Sequence, residues 1–89
     1  MVWRIELSGL AQKQLESLGH TEARRIVSFL ESHLALLENP RLLGEPLKGP
    51  ELNRFWKYRV GDYRLIARLE DLDVCVLIVR IGHLRNIHP

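Results

Sequence analysis

The 89-residue chain has one cysteine, one methionine, four prolines and only six aromatic residues, and no apolar run of bilayer-spanning length. Cys75 can make no internal disulfide; within the apolar stretch 74–81 it reads as a small buried hydrophobe. His20 and His33 form no metal-ligand spacing with it, so neither a metal nor a cofactor is expected. Arg4 and Glu6 stand where a signal peptide needs apolar residues, which points to a cytoplasmic protein with no membrane partner. Repeats, low-complexity tracts and linkers are also missing, so residues 1–89 read as one domain. What is present, 46% hydrophobic and 27% charged residues, is the mixture of a folded chain rather than a disordered one.

The formal net charge of +2 would say little about partners if it were spread evenly. Residues 1–50 carry six Lys/Arg against six Asp/Glu, and residues 51–89 carry seven against five. Five of those seven cations fall between Arg54 and Arg68. The location of the charge, not its sum, carries the information.

Residues 2–7 alternate Trp3, Ile5 and Leu7 with Arg4 and Glu6, the period of a strand with one buried face. Ser8 is placed to cap a helix running to about Leu18, with Ala11, Leu15 and Leu18 at helical spacing and Gly19 as the stop. Thr21 is the expected cap of a second helix reaching Glu38, whose Ala23, Ile26, Val27, Leu30, Leu34 and Leu37 form one stripe; Asn39-Pro40 ends it. Residues 41–52, with two prolines and two glycines, read as a loop. Residues 55–60 and 63–69 are strand-like runs, and 74–81 is a last strand, apolar on both faces except at Arg80. The expected class is α+β: a small antiparallel sheet with two N-terminal helices packed on one face, in the order β-α-α-β-β-β.

Gly61-Asp62 suits a two-residue hairpin turn. That turn pairs Val60 with Tyr63, Arg59 with Arg64, Tyr58 with Leu65, Lys57 with Ile66, Trp56 with Ala67 and Phe55 with Arg68. One face then collects Trp56, Tyr58, Val60, Tyr63, Leu65, Ala67 and Leu69, and should pack under the helices. The other collects Phe55, Lys57, Arg59, Arg64, Ile66 and Arg68, with cations alone as its charged members. Arg59 directly across from Arg64 costs stability, and no acid on that face relieves it. Such a face suits an anion, and phosphate matches the planar fork of arginine.

Leu47-Lys48-Gly49, then Trp56-Lys57-Tyr58-Arg59-Val60-Gly61-Asp62-Tyr63-Arg64-Leu65, then Ile81-Gly82-His83-Leu84-Arg85-Asn86-Ile87-His88 together resemble the RelE-like toxins of the RelE/ParE superfamily. The resemblance covers nearly the whole chain. It implies a type II toxin, a small sheet with two helices on one face, a cognate antitoxin forming a toxin–antitoxin hetero-oligomer, and, for ribonuclease members, cleavage of messenger RNA in the ribosomal A site. By the same resemblance Arg64 matches the arginine that stabilises the scissile phosphate, Lys57 a lysine of the active surface, and Arg85 a C-terminal arginine implicated in activity. Arg59 and Lys48 match supporting basic positions. Phe55 replaces a second lysine of well-known ribonuclease members, Leu84 the first of two tail arginines, and His88 the usual C-terminal tyrosine.

Metal-independent RNA cleavage needs a deprotonated 2′-hydroxyl, stabilised phosphoryl oxygens and a proton for the leaving 5′ oxygen. Arg64 and Arg59 can hold the phosphoryl oxygens, with Lys57 near the attacking oxygen and Arg68 extending the basic face. No carboxylate stands where a base is wanted, and His88, with an ordinary pKa near ~6.5, is the remaining proton handler. His83 is open to RNA contact or to a hydrogen bond with the backbone. Phe55 is a candidate for base stacking, whereas Trp3, Trp56, Tyr58 and Tyr63 belong to the core by parity. Two alternatives stay open: a ParE-like inhibitor of DNA gyrase on the same fold, and a non-catalytic nucleic-acid-binding module.

Overall fold

Ser8 starts the first helix as its side chain suggests, accepting the Ala11 N–H at 3.0 Å. The computed structural model describes residues 2–52 and 54–85. Helix α1 spans Gly9–Ser17 after strand β1, Arg4–Leu7. Helix α2 spans His20–Ser32 and differs from expectation at both ends. Thr21 lies inside its first turn and is not the cap; Gly19, at φ +88°, reverses the chain there, a conformation that costs glycine little. At the other end the stripe of apolar residues continues past Ser32, but as a 3₁₀ turn over Leu34–Leu36. That tightening keeps Leu34 buried and turns the Ala35 carbonyl toward the chain before β1, where it accepts the Trp3 N–H at 2.9 Å.

Among the described residues the sheet has five strands in the order β1-β5-β4-β3-β2, with β2 at Glu45–Pro46, β3 at Phe55–Val60, β4 at Tyr63–Glu70 and β5 at Cys75–His83. Its pairings are antiparallel except one: β1 lies parallel to β5, because the two helices carry the chain across the sheet before the hairpin brings it back. The small antiparallel sheet expected is thus present, with one parallel pair at its β1 edge. The short β2 emerges from a segment that reads as loop, since two residues offer no periodicity to detect.

The β3–β4 register has all six expected pairs, from Phe55↔Arg68 to Val60↔Tyr63. Gly61 takes φ +59° at the first central position, where a tight hairpin turn needs it. Trp56, Tyr58, Val60, Tyr63, Leu65, Ala67 and Leu69 accordingly join Ile26, Leu30 and Leu34 in the main core under the helices. Three ring donors tie down the segment between α2 and β2: Trp3 Nε1 to the Glu38 carbonyl, Tyr58 Oη to that of Pro40 and Trp56 Nε1 to that of Leu43. Burial drives the Tyr58 hydroxyl well above its ordinary pKa, so it stays a neutral donor at 2.7 Å.

Candidate functional site

Paired residues in a sheet share a face, so the registers lay out the helix-free face in rows. At the hairpin end, Arg59, Arg64 and Gly82 form one row; the next holds Glu45, Lys57, Ile66 and Arg80; a third holds Phe55, Arg68 and Leu77. The second and third rows are partly covered, because Leu47 and Ile66 are buried together with Phe55 and Val79 packed on them. The hairpin end stays open. Gly82 gives Arg64 a neighbour without a side chain, and a cleft of about 390 Å³ runs beside it, lined among others by Phe29, Gly44, Glu45, Lys57, Arg59 and Arg64.

The expectation of a face charged only by cations is corrected here. Glu45 on β2 pairs across with Lys57, its Oε1 3.2 Å from Nζ, and Arg68 pairs with Glu70 at 3.2 Å. The Lys57 side chain is only 20% exposed, so its ammonium is held in place rather than waving in solvent. Arg59 and Arg64 remain opposite each other as expected, and each bonds a nearby carbonyl, Gly61 O and Tyr63 O, at 3.3 Å. Among the described residues neither makes an ion pair with a carboxylate.

Glu45 gets its position from its neighbours. Gly44, at φ +71°, lies so close to β3 that an added Cβ would collide with the Lys57 carbonyl and the Trp56 and Tyr58 rings. The preceding Leu43 carbonyl accepts the Trp56 Nε1–H at 2.7 Å. A carboxylate is therefore set against Lys57, in the cleft that Arg59 and Arg64 also line, by a glycine that admits the close approach and an indole that anchors the loop.

The remaining expected site residues divide. Arg85 follows β5, exposed, and its neighbour Leu84 donates its N–H to the Asp62 carbonyl at 2.7 Å, which ties the tail to the hairpin turn at the open end. His83 faces Tyr63 edge-on at 5.5 Å between ring centres, and its Nδ1 accepts the Arg85 N–H at 3.2 Å, a backbone-organising contact. Lys48 is exposed beyond buried Leu47. Phe55 is half-buried on Leu47 and Ile66 with the Arg54 guanidinium 5.8 Å from its ring centre, so little of its face is open for stacking. His88 lies outside the described residues. Sequence reasoning missed Glu45 and gave Arg80 no site role: the first sits in a segment without periodicity, the second is the single charge in a strand otherwise apolar on both faces, which conceals which residues face where. Among the described residues no group of three His, Cys, Asp or Glu could hold a metal, and no helix is long and apolar enough to cross a membrane.

The fold is that of the toxins of the RelE/ParE superfamily. A model described as the ParE toxin of type II toxin–antitoxin systems matches residues 5–87, and the chain belongs to that family. Among solved structures it is similar to a chain of the RelBE2 toxin–antitoxin complex from Mycobacterium tuberculosis, at 28% identity and TM-score 0.83 over 93% of this chain and 92% of that one. It shares its fold with a chain of the archaeal RelE–RelB complex from Pyrococcus horikoshii, at 24% identity and TM-score 0.74 over 98% and 100% of the two chains. The same holds for a chain of the intact Escherichia coli RelBE complex, at 24% identity and TM-score 0.72 over 91% and 95%. No curated protein sequence matches the chain.

Proposed function

We propose that this toxin is a metal-independent endoribonuclease that cleaves messenger RNA on the ribosome and thereby inhibits translation. The observation that supports this reading is the Glu45–Lys57 pair beside Arg59 and Arg64, a carboxylate and three cations lining one open cleft. The Glu45 carboxylate takes the 2′-hydroxyl proton as that oxygen attacks phosphorus. Lys57 steadies the charge on the attacking oxygen, and Arg64 with Arg59 holds the phosphoryl oxygens as negative charge builds. The bond to the 5′ oxygen breaks and that oxygen takes up a proton, for which His88, able to take or give one, is the candidate donor. The products are a 2′,3′-cyclic phosphate and a 5′-hydroxyl end. A cognate antitoxin would hold the toxin inactive in the cytoplasm, in keeping with the complexes in which its structural relatives were solved.

Inducible expression in bacteria with mapping of messenger 5′ ends within minutes tests the proposal. New ends inside translated frames should appear with the wild type and vanish with Arg64→Ala and Glu45→Gln. Growth arrest without new ends would overturn it in favour of gyrase inhibition, to be checked by a supercoiling assay. RNA binding without arrest or cleavage would leave only a binding module.

A further inference from the structure

The register between β4 and β5 changes by one residue. On the hairpin side Tyr63, Arg64, Leu65 and Ile66 pair with His83, Gly82, Ile81 and Arg80, whereas beyond the break Ala67 pairs with Ile78. Val79 is the extra residue of a β-bulge, and a one-residue change of register exchanges the two faces of everything after it. Had the Ala67↔Ile78 register run on unbroken, Arg80 would oppose Leu65 inside the core and Ile81 would cover Arg64. Instead Ile81 is buried at 1% exposure, glycine faces Arg64, and Arg80 stands exposed beside Ile66 on the cationic face.

Helix α1 holds the bulge from the other side of the sheet. Ser8 Oγ donates to the Val79 carbonyl at 2.9 Å, and Gln14 Oε1 accepts the Ile81 N–H at 2.7 Å. These bonds satisfy backbone groups that an interrupted ladder leaves without strand partners.

We propose that Arg80 is an RNA phosphate-binding residue, gripping a phosphate next to the scissile one, and that the Val79 bulge is what brings it to the site. The identity of the ligand, single-stranded RNA, rests on the ribonuclease reading. Arg80 lies diagonally across the sheet from Arg64, a spacing of about 7–8 Å between backbones, on the scale of one step along an extended RNA strand. Unlike Lys57 and Arg68, among the described residues it pairs with no carboxylate, so its guanidinium fork is available to phosphate. It grips a phosphate away from the reacting atoms, and its contribution falls on RNA affinity.

Fluorescence anisotropy with a short single-stranded RNA, 2′-O-methylated throughout so that it cannot be cut, tests this across a series of salt concentrations. Arg80→Ala should weaken binding about tenfold and flatten the slope of log K against log salt by about 0.7, the signature of one lost phosphate contact on a single strand. Arg80→Lys should keep the slope, and Arg24→Ala, on the exposed face of α2, should match the wild type. In cleavage assays the Arg80→Ala loss should fall on KM. Unchanged affinity and slope in Arg80→Ala, with Arg64→Ala still defective in messenger cleavage, would overturn the assignment of Arg80 and leave the ribonuclease reading standing. A wild type that neither binds this RNA nor cuts messenger would overturn both.

Discussion

One hairpin, β3–β4, supplies both the floor of the core and the candidate site, and its two faces obey different rules. On the helix side, Tyr58, Leu65 and Ala67 are at most 1% exposed, and the polar tips of Trp56 and Tyr58 each meet a backbone carbonyl at 2.7 Å. On the other side Arg59 opposes Arg64, an arrangement that raises the energy of the free protein, and only Lys57 and Arg68 have carboxylate partners among the described residues. The packed face stabilises the fold; the charged face accepts a local energetic cost that an anionic ligand would relieve. Alternate residues of the same two strands therefore answer to stability and to chemistry separately.

Substitutions that fall on one face alone test this separation. The largest loss of stability should come from Leu65→Ala, which empties a wholly buried position and should cost about 2–5 kcal/mol in urea unfolding. A cost below about 1 kcal/mol would mean that the helix face is not the seat of stability. Arg64→Ala should do the opposite, cutting messenger cleavage about 10²- to 10³-fold while leaving the urea midpoint unchanged or slightly raised, since the repulsion with Arg59 is gone. A marked loss of stability in that variant would break the comparison.

Ser8 links the two faces, capping α1 and holding the bulged Val79 carbonyl. Ser8→Ala should cost about 1 kcal/mol of stability and speed amide hydrogen exchange in β5 around Val79. Smallest of all should be Asp71→Asn at the far end of the sheet, where Arg41 holds the Asp71 carboxyl below its ordinary pKa through two 2.9 Å bonds. A carboxyl depressed in the folded state stabilises above its unfolded value of about 3.9 and stops doing so as pH falls through the folded one. Both groups are substantially exposed, so the variant should lose less than about 1 kcal/mol at neutral pH, and nothing below the carboxylate range. Denaturation curves of wild type and variant at pH 7 and in strong acid check the sign.

Local pattern made the hairpin legible. Gly61-Asp62 set the turn, period two assigned each residue to a face, and the two together determined the Arg59–Arg64 opposition without any knowledge of the rest of the chain. Ser8 was readable for the same reason, because a cap acts over three residues. Helix α2 was legible along its apolar stripe but not at its end, since burial of Leu34 is compatible with either an α or a 3₁₀ turn and the choice depends on Trp3 reaching the Ala35 carbonyl.

Long-range contacts decided the rest. Glu45 belongs to a segment whose sequence signals only a loop; its place beside Lys57 comes from Gly44 lying flush on β3 and from the Trp56 anchor, residues brought together by the fold. Arg80 was hidden in an apolar strand because parity alone sends it into the core, and only the bulge held by Ser8 and Gln14 reverses that. The sequence by itself determined which side of the hairpin is cationic, because alternation is a property of neighbouring residues. Tertiary structure alone decided which acid and which further arginine share that face, because register across non-adjacent strands is set by packing.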